Sequence, residues 1–202
     1  MSPRRYQPLT RAALPVDTAS LARALIGKIV VRELPQGLVS GRIVETEAYV
    51  IGDAAGHAYR GMTARNRSLF LARGHAYVYL AYGVAWMLNV SSEKAGIGAG
   101  VLIRALEPLE GIPIMQDNRG TTRLRGLTRG PGRLAQALGI DRALDGLDLC
   151  RKGPLFLARG GRLCGEIGES VRIGITKEAH RPLRFYLRDS PFVSGPKSLN
   201  TQ

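Results

Sequence analysis

The sequence predicts a single mixed α+β domain, a mostly antiparallel, curved sheet with short helices around it and a protruding β-hairpin. Three stretches carry that expectation. Residues 42–50 alternate with a period of two, which puts Val44, Thr46, Ala48 and Val50 on one strand face and Ile43, Glu45, Glu47 and Tyr49 on the other. Val101–Leu106 is a continuous apolar run of strand length holding one guanidinium, Arg104, as expected of a strand buried on both faces. Between them, residues 76–90 read as two β-rich runs joined near Tyr82-Gly83, a hairpin with an aromatic residue at its tip.

The other elements follow in order. Residues 1–16 hold three prolines and three arginines and read as an extended basic arm. Asp17 then opens a short amphipathic helix with Leu21, Ala22 and Leu25 on one face, closed by Gly27. Lys28–Leu34 and Leu38–Val50 are strand-like around the turn residues Pro35-Gln36-Gly37. After a Gly- and Ala-rich stretch with His57, Thr63–Ala72 suits a brief helix carrying Arg65 and Arg67. Glu107-Pro108-Leu109-Glu110 reads as a helix start, with Pro at the first position and acids in the first turn. Gly132–Leu138 has helical apolar spacing, and short strands are expected at Leu155–Ala158, Val171–Ile175 and Leu183–Arg188. The expected organisation is an arm over 1–16, one domain over 17–195 and a frayed tail over 196–202.

Composition narrows the partners. The 202 residues are 45% apolar, enough for one domain with a real core, and the formal net charge is +13 with a pI near 10.5. That charge favours a polyanion, most often nucleic acid, with an acidic membrane surface as the rival. No apolar run reaches membrane-spanning length and the N-terminus has no signal-peptide pattern, so the expected location is the cytosol. Cys150 and Cys164 are too few for a zinc site, and His57, His75 and His180 are not spaced as ligands.

Arg104 poses the sharpest chemical question. A buried guanidinium needs an anion, because desolvating its charge costs several kcal/mol. Glu45 and Glu47 are the nearest carboxylates a strand offers. Such a pair is either a strut between two strands or part of a charged site. The hairpin shifts the weight toward a site, since Tyr77 and Tyr79 share one face and two flat rings can line a slot for a flat ligand. The run from Arg119 to Arg133, with five arginines and no acid, is either a solvated loop or a phosphate-contacting segment.

Several blocks, spread in order over residues 20–193, carry a family resemblance: Gly41–Tyr49, Arg65-Asn66-Arg67, Tyr77-Val78-Tyr79, Tyr82-Gly83, Asn89–Ser92, Arg104–Gly111 and Pro182–Tyr186. Together they resemble the alkyladenine (3-methyladenine) DNA glycosylases, in their bacterial form. The resemblance implies a monofunctional glycosylase, without cofactor or metal, that initiates base excision repair. Such an enzyme rotates an alkylated or deaminated purine out of double-stranded DNA and hydrolyses its N-glycosidic bond. It implies Glu47 as the general base for water, with Arg104 and the main-chain carbonyl of Ile173 holding that water. Tyr49, His57 and Tyr79 are implied around the extruded base, Asn89 against the amino group of normal guanine, and Tyr82 as the wedge filling the gap in the stack. Glu45 has no implied role and reads as structural. Charge alone suggests phosphate contacts at Arg65, Arg67, Arg119, Arg123, Arg125 and Arg129. The expected protein is a monomer of the bacterial cytosol, associated with the nucleoid and not with membrane. The alternatives are a non-catalytic sensor of damaged bases and a general nucleic-acid-binding protein.

Overall fold

The computed structural model describes residues 6–162 and 164–200. Met1–Arg5 of the basic arm lie outside the described residues. Among the described residues eight strands and three α-helices follow one another as α1 (Thr18–Leu25), β1 (Ile29–Leu34), β2 (Gly37–Tyr49), β3 (Ala76–Ala81), β4 (Ala85–Ser91), β5 (Gly100–Glu110), α2 (Ile112–Arg119), α3 (Pro131–Ala137), β6 (Leu155–Ala158), β7 (Ile167–Ser170) and β8 (Arg184–Leu187). Every strand pair is antiparallel, and the sheet runs β3-β4-β5-β2-β1-β6, with β8 joined to β2 and β7. The sheet curls because β2 changes partners along its length. Its first part pairs with β1, from Leu34 opposite Gly37 to Ile29 opposite Arg42, and its last part pairs with β8 at Glu45–Glu47.

Along its other edge β2 pairs with β5, and there the ladder shifts register once near its end, between Ser40 and Gly41, and twice in its middle, on either side of Glu45. Ile43 faces Leu106, Glu45 faces Ala105 and Thr46 faces Ile103, so Val44 on one strand and Arg104 on the other stand outside the regular pairing. The two irregularities cancel, and the register is the same on both sides. A bulge of this kind re-aims a side chain. Here it sits at Arg104.

The face opposite the carboxylates is the core. Val44 and Ala48 are buried there, and α1 lies across them with Leu21, Ala22 and Leu25 wholly buried. Each buried Leu contributes about 1.5–3 kcal/mol. Asp17 caps α1 by accepting from the Ser20 amide at 2.8 Å, and the Thr46 hydroxyl donates to the Ala22 carbonyl at 2.9 Å, tying helix to strand. Residues 6–16 lie along the domain, with Leu9 and Leu14 buried and the Leu9 amide donating to the Leu157 carbonyl.

The helix expected from Glu107 is instead strand: β5 runs through Pro108 to Glu110, and α2 starts at Ile112 with Pro113 in its first turn. Pro108 is tolerated because it faces Gly41, next to the register shift at the end of the ladder, where a missing N–H costs little. The strand expected over Val171–Ile175 is also displaced. Strand β7 ends at Ser170, and the next five residues are irregular, with Arg172 drawn inward and Gly174 at φ +77°. The helix expected over Thr63–Ala72 shrinks to a 3₁₀ turn at Arg67–Phe70. In the C-terminal stretch, the Leu199 carbonyl and the Asn200 side chain both accept from Arg184. No helix among the described residues is long and apolar enough to cross a membrane.

Candidate active site

Strand alternation carries Glu45, Glu47 and Tyr49 to the face away from α1, and the bulge turns Arg104 to meet them. Arg104 Nε donates to Glu45 Oε1 at 3.0 Å, while its Nη1 lies 3.2 Å from Glu47 Oε1. The anion that Arg104 requires is therefore two carboxylates, both at 0% exposure. Glu47 receives two further donors, the Ile173 amide at 2.7 Å to Oε1 and the Tyr49 hydroxyl at 3.1 Å to Oε2.

The two carboxylates titrate in opposite directions. Burial pushes the Glu47 carboxyl above the usual range, and Arg104, the Ile173 amide and the Tyr49 hydroxyl only partly offset it. Burial acts upward on Glu45 as well, but Arg104 and Arg184, helped by the Ser194 amide, outweigh it and hold this carboxyl below its ordinary value. The two environments separate a basic carboxylate from a fixed counter-charge.

Beside this cluster lies a cavity of about 360 Å³, lined by Tyr49, His57, Tyr77, Tyr79, Tyr82, Asn89, Arg104 and Ile173 among others. That volume is in the range of small-ligand sites, about 300–1,000 Å³. Tyr77 and Tyr79, two apart on β3, stack with centroids 5.3 Å apart at 26°. His57 stands edge-on to Tyr79 at 4.4 Å, and its Nδ1 is hydrogen-bonded to the Tyr77 hydroxyl at 2.9 Å. The loop bearing His57 is held by Asn66 Nδ2, which donates to the His57 carbonyl at 2.8 Å. Burial, then Arg65, lowers the His57 pKa, which favours the neutral ring. Asn89 lies on β4 at the pocket wall, its amide donating to the Tyr77 carbonyl at 3.1 Å.

At the turn between β3 and β4, Tyr82 is 93% exposed with φ +49°, followed by Gly83 at φ +72° and an exposed Val84. Positive φ at Tyr82 is an uncommon setting for a bulky residue, and it holds the ring out from the sheet. The arginines expected at phosphates divide into two groups. Arg65, Arg67 and Arg123 are exposed with their Nε groups not committed to a carbonyl, although Arg65 Nη2 reaches the Leu80 carbonyl at 3.4 Å; Arg125 is exposed as well. Arg119, Arg125 and Arg129 each commit Nε to a carbonyl, those of Leu127 at 3.2 Å, Pro191 at 2.7 Å and Val193 at 2.6 Å.

The structure adds residues that periodicity did not single out. Arg172 and Asp53 form an ion pair with both side chains fully buried; Arg172 also donates to the Ala48 carbonyl at 2.9 Å and lies 4.7 Å from the Tyr49 ring centroid. The pair braces the loop before His57 against the loop bearing Ile173. Arg184, wholly buried on β8, stands opposite Glu47 in the ladder and binds Glu45 Oε1 through Nε at 2.7 Å. Among the described residues no cluster of three or more His, Cys, Asp or Glu side chains could hold a metal ion.

A curled antiparallel sheet whose hairpin walls an aromatic slot beside a buried Glu–Arg cluster defines the class, and comparison with known sequences defines the family. The profile of the methylpurine-DNA glycosylases matches residues 12–191, and the chain belongs to that family. A relative from Mesorhizobium japonicum, provisionally named a 3-methyladenine DNA glycosylase, is 74% identical over 96% of this chain and 93% of its own length. Relatives of the same provisional name from Paraburkholderia phytofirmans and Rubrobacter xylanophilus are 51% and 50% identical, over 95% and 87% of this chain and 90% and 92% of theirs.

Proposed function

We propose that the protein is a monofunctional DNA glycosylase that rotates alkylated or deaminated purines out of duplex DNA and hydrolyses the N-glycosidic bond, leaving an abasic site. One observation carries this reading: Glu47, a buried carboxylate of raised basicity, is bonded to two groups, Arg104 and Tyr49, that wall the ring-lined cavity. A carboxylate offers about four lone-pair sites. Three are taken here by Ile173, Arg104 and Tyr49, which leaves one for a water. As the bond from C1′ to the purine breaks, the purine leaves with the bonding electrons. The water oxygen attacks C1′, and Glu47 takes its proton. The negative charge around Glu47 favours the oxocarbenium-like sugar that develops meanwhile.

The slot suits the leaving group. Stacking on Tyr79, Tyr49 or His57 contributes about 1–3 kcal/mol per base, and more for a cationic alkylpurine over an aromatic face. Cationic purines are also better leaving groups, so hydrolysis needs no separate acid for them. Tyr82, already held outward, fills the vacated place in the stack, and exposed Arg65, Arg67 and Arg123 meet phosphates. Asn89, on the pocket wall, is assigned to oppose the 2-amino group of normal guanine.

Duplex oligonucleotides carrying 3-methyladenine, 7-methylguanine, hypoxanthine or ethenoadenine, incubated with the protein and then treated with alkali, test the proposal. Cleavage at one or more of these bases only after alkali is expected. Cleavage without alkali would refute the monofunctional assignment, and no cleavage at any of them would refute the reading as a whole.

A further inference from the structure

Glu45 is buried, ionised and given no part in the reaction above, yet as many groups converge on it as on Glu47, three on each. Oε1 accepts from Arg104 Nε and Arg184 Nε, and Oε2 accepts from the Ser194 amide at 2.6 Å. Arg184 in turn uses all five of its N–H donors: Nε on Glu45, Nη1 on the Ser170 hydroxyl at 2.7 Å and the Leu199 carbonyl at 3.1 Å, and Nη2 on the Ser194 carbonyl at 3.2 Å and Asn200 Oδ1 at 2.7 Å. Glu45 thus has no freedom to turn. A buried salt bridge is weak evidence of stabilisation, since desolvation offsets most of the attraction. What distinguishes this one is that Arg104 meets its two carboxylates through different edges.

We propose that Glu45, clamped by Arg184 and the Ser194–Asn200 segment, is a positioning residue for base excision: it occupies the Nε edge of Arg104, so that Glu47 receives a single contact from Nη1. A guanidinium free of Glu45 closes onto Glu47 as a two-pronged fork, the favoured geometry for Arg and carboxylate. That fork would occupy the lone-pair site left for water and neutralise the base. Arg184 is needed because Glu45, served by Arg104 alone, would draw that guanidinium away from Glu47. The proposal rests on Glu47 as general base.

The charged and titratable groups facing Glu47 are Glu45 and Tyr49 on β2, Tyr79 on β3, Arg104 on β5 and Arg184 on β8, with Arg172 behind Tyr49. The test is the pH profile of single-turnover excision for the wild type, Glu45→Gln, Arg184→Met and the charge-balanced double variant, with Tm and duplex affinity in parallel. Glu45→Gln should move the acid limb down by about one pH unit and lower the plateau several-fold, with duplex affinity unchanged. Arg184→Met should move the limb the other way. The double variant should move it down by less than Glu45→Gln, and it carries the test if either single variant fails to fold. Variants that lose Tm but keep the wild-type limb would overturn the proposal and leave Glu45 as a strut. Glu47→Gln separates the two readings: if that variant still excises, the general-base assignment fails first, whereas if it is inactive and the limbs stay fixed, only the positioning role fails.

Discussion

Glu47→Gln should slow base release by orders of magnitude without weakening the fold, and the structure gives both halves of that expectation. The side chain is wholly buried, and burial is the largest influence on its titration, raising it above the usual carboxylate range. A carboxyl whose folded-state pKa exceeds its unfolded value favours folding while protonated, and that contribution is lost as pH rises from the ordinary carboxylate value through the raised one. In its ionised form Glu47 places a desolvated charge in the fold that a neutral amide does not. Gln keeps an acceptor for the Ile173 amide, and Arg104 retains Glu45. Loss of a general base costs about 10²–10⁴-fold in rate, which is about 3–5.5 kcal/mol at 1.36 kcal/mol per tenfold. Single-turnover excision on an alkylated duplex, paired with thermal melts across acidic to neutral pH, measures both. Excision should fall by that factor while Tm at pH 7 stays level or rises. Wild-type excision, or a Tm several degrees lower, would refute the reasoning.

Three further expectations follow from other parts of the molecule. Because Tyr82 is almost fully exposed, Tyr82→Ala should leave stability within about 0.5 kcal/mol while weakening capture of the extruded nucleotide by about 1–3 kcal/mol; an unchanged 2-aminopurine fluorescence response on binding would refute the wedge role. Six arginine–phosphate contacts give a slope of log affinity against log salt near −5, and about −3 if Arg119, Arg125 and Arg129 stay on their carbonyls, so a flat salt series would remove the electrostatic argument. Arg172→Met strands Asp53 as a buried charge and should cost about 3–5 kcal/mol in urea unfolding; a loss below about 1 kcal/mol would contradict the bracing role.

The site was legible where a single physical demand had few answers. A guanidinium in an apolar strand needed an anion, and only Glu45 and Glu47 lay on a neighbouring strand face; both turn out to bind it. Period-two alternation likewise placed Tyr77 with Tyr79 and marked the hairpin turn at Tyr82. Local chemistry misled where two readings share residues. Pro108 flanked by acids suits a helix start, but the strand had room for a proline at an irregular point of its ladder, and Pro113 played the helix-start role instead. What stayed hidden was long-range polar pairing. Asp53 with Arg172, and Arg184 with Glu45, Ser170 and Ser194, join positions far apart in the chain, and no periodicity encodes which buried charge meets which. The same holds for Arg125 and Arg129, whose composition suggests DNA but whose Nε groups hold the main chain near residue 192.

The paired irregularities at Val44 and Arg104 make the site unusually sensitive to chain length. Since they cancel, the ladder beyond them is in step with the ladder before them, and loops elsewhere can lengthen without disturbing it. Removing one residue between Ile43 and Thr46 would invert everything downstream on that strand: Glu47 and Tyr49 would turn under α1, and Thr46 and Ala48 would face the cavity. The outline of the molecule could survive such a deletion, but the chemistry would be facing the wrong way.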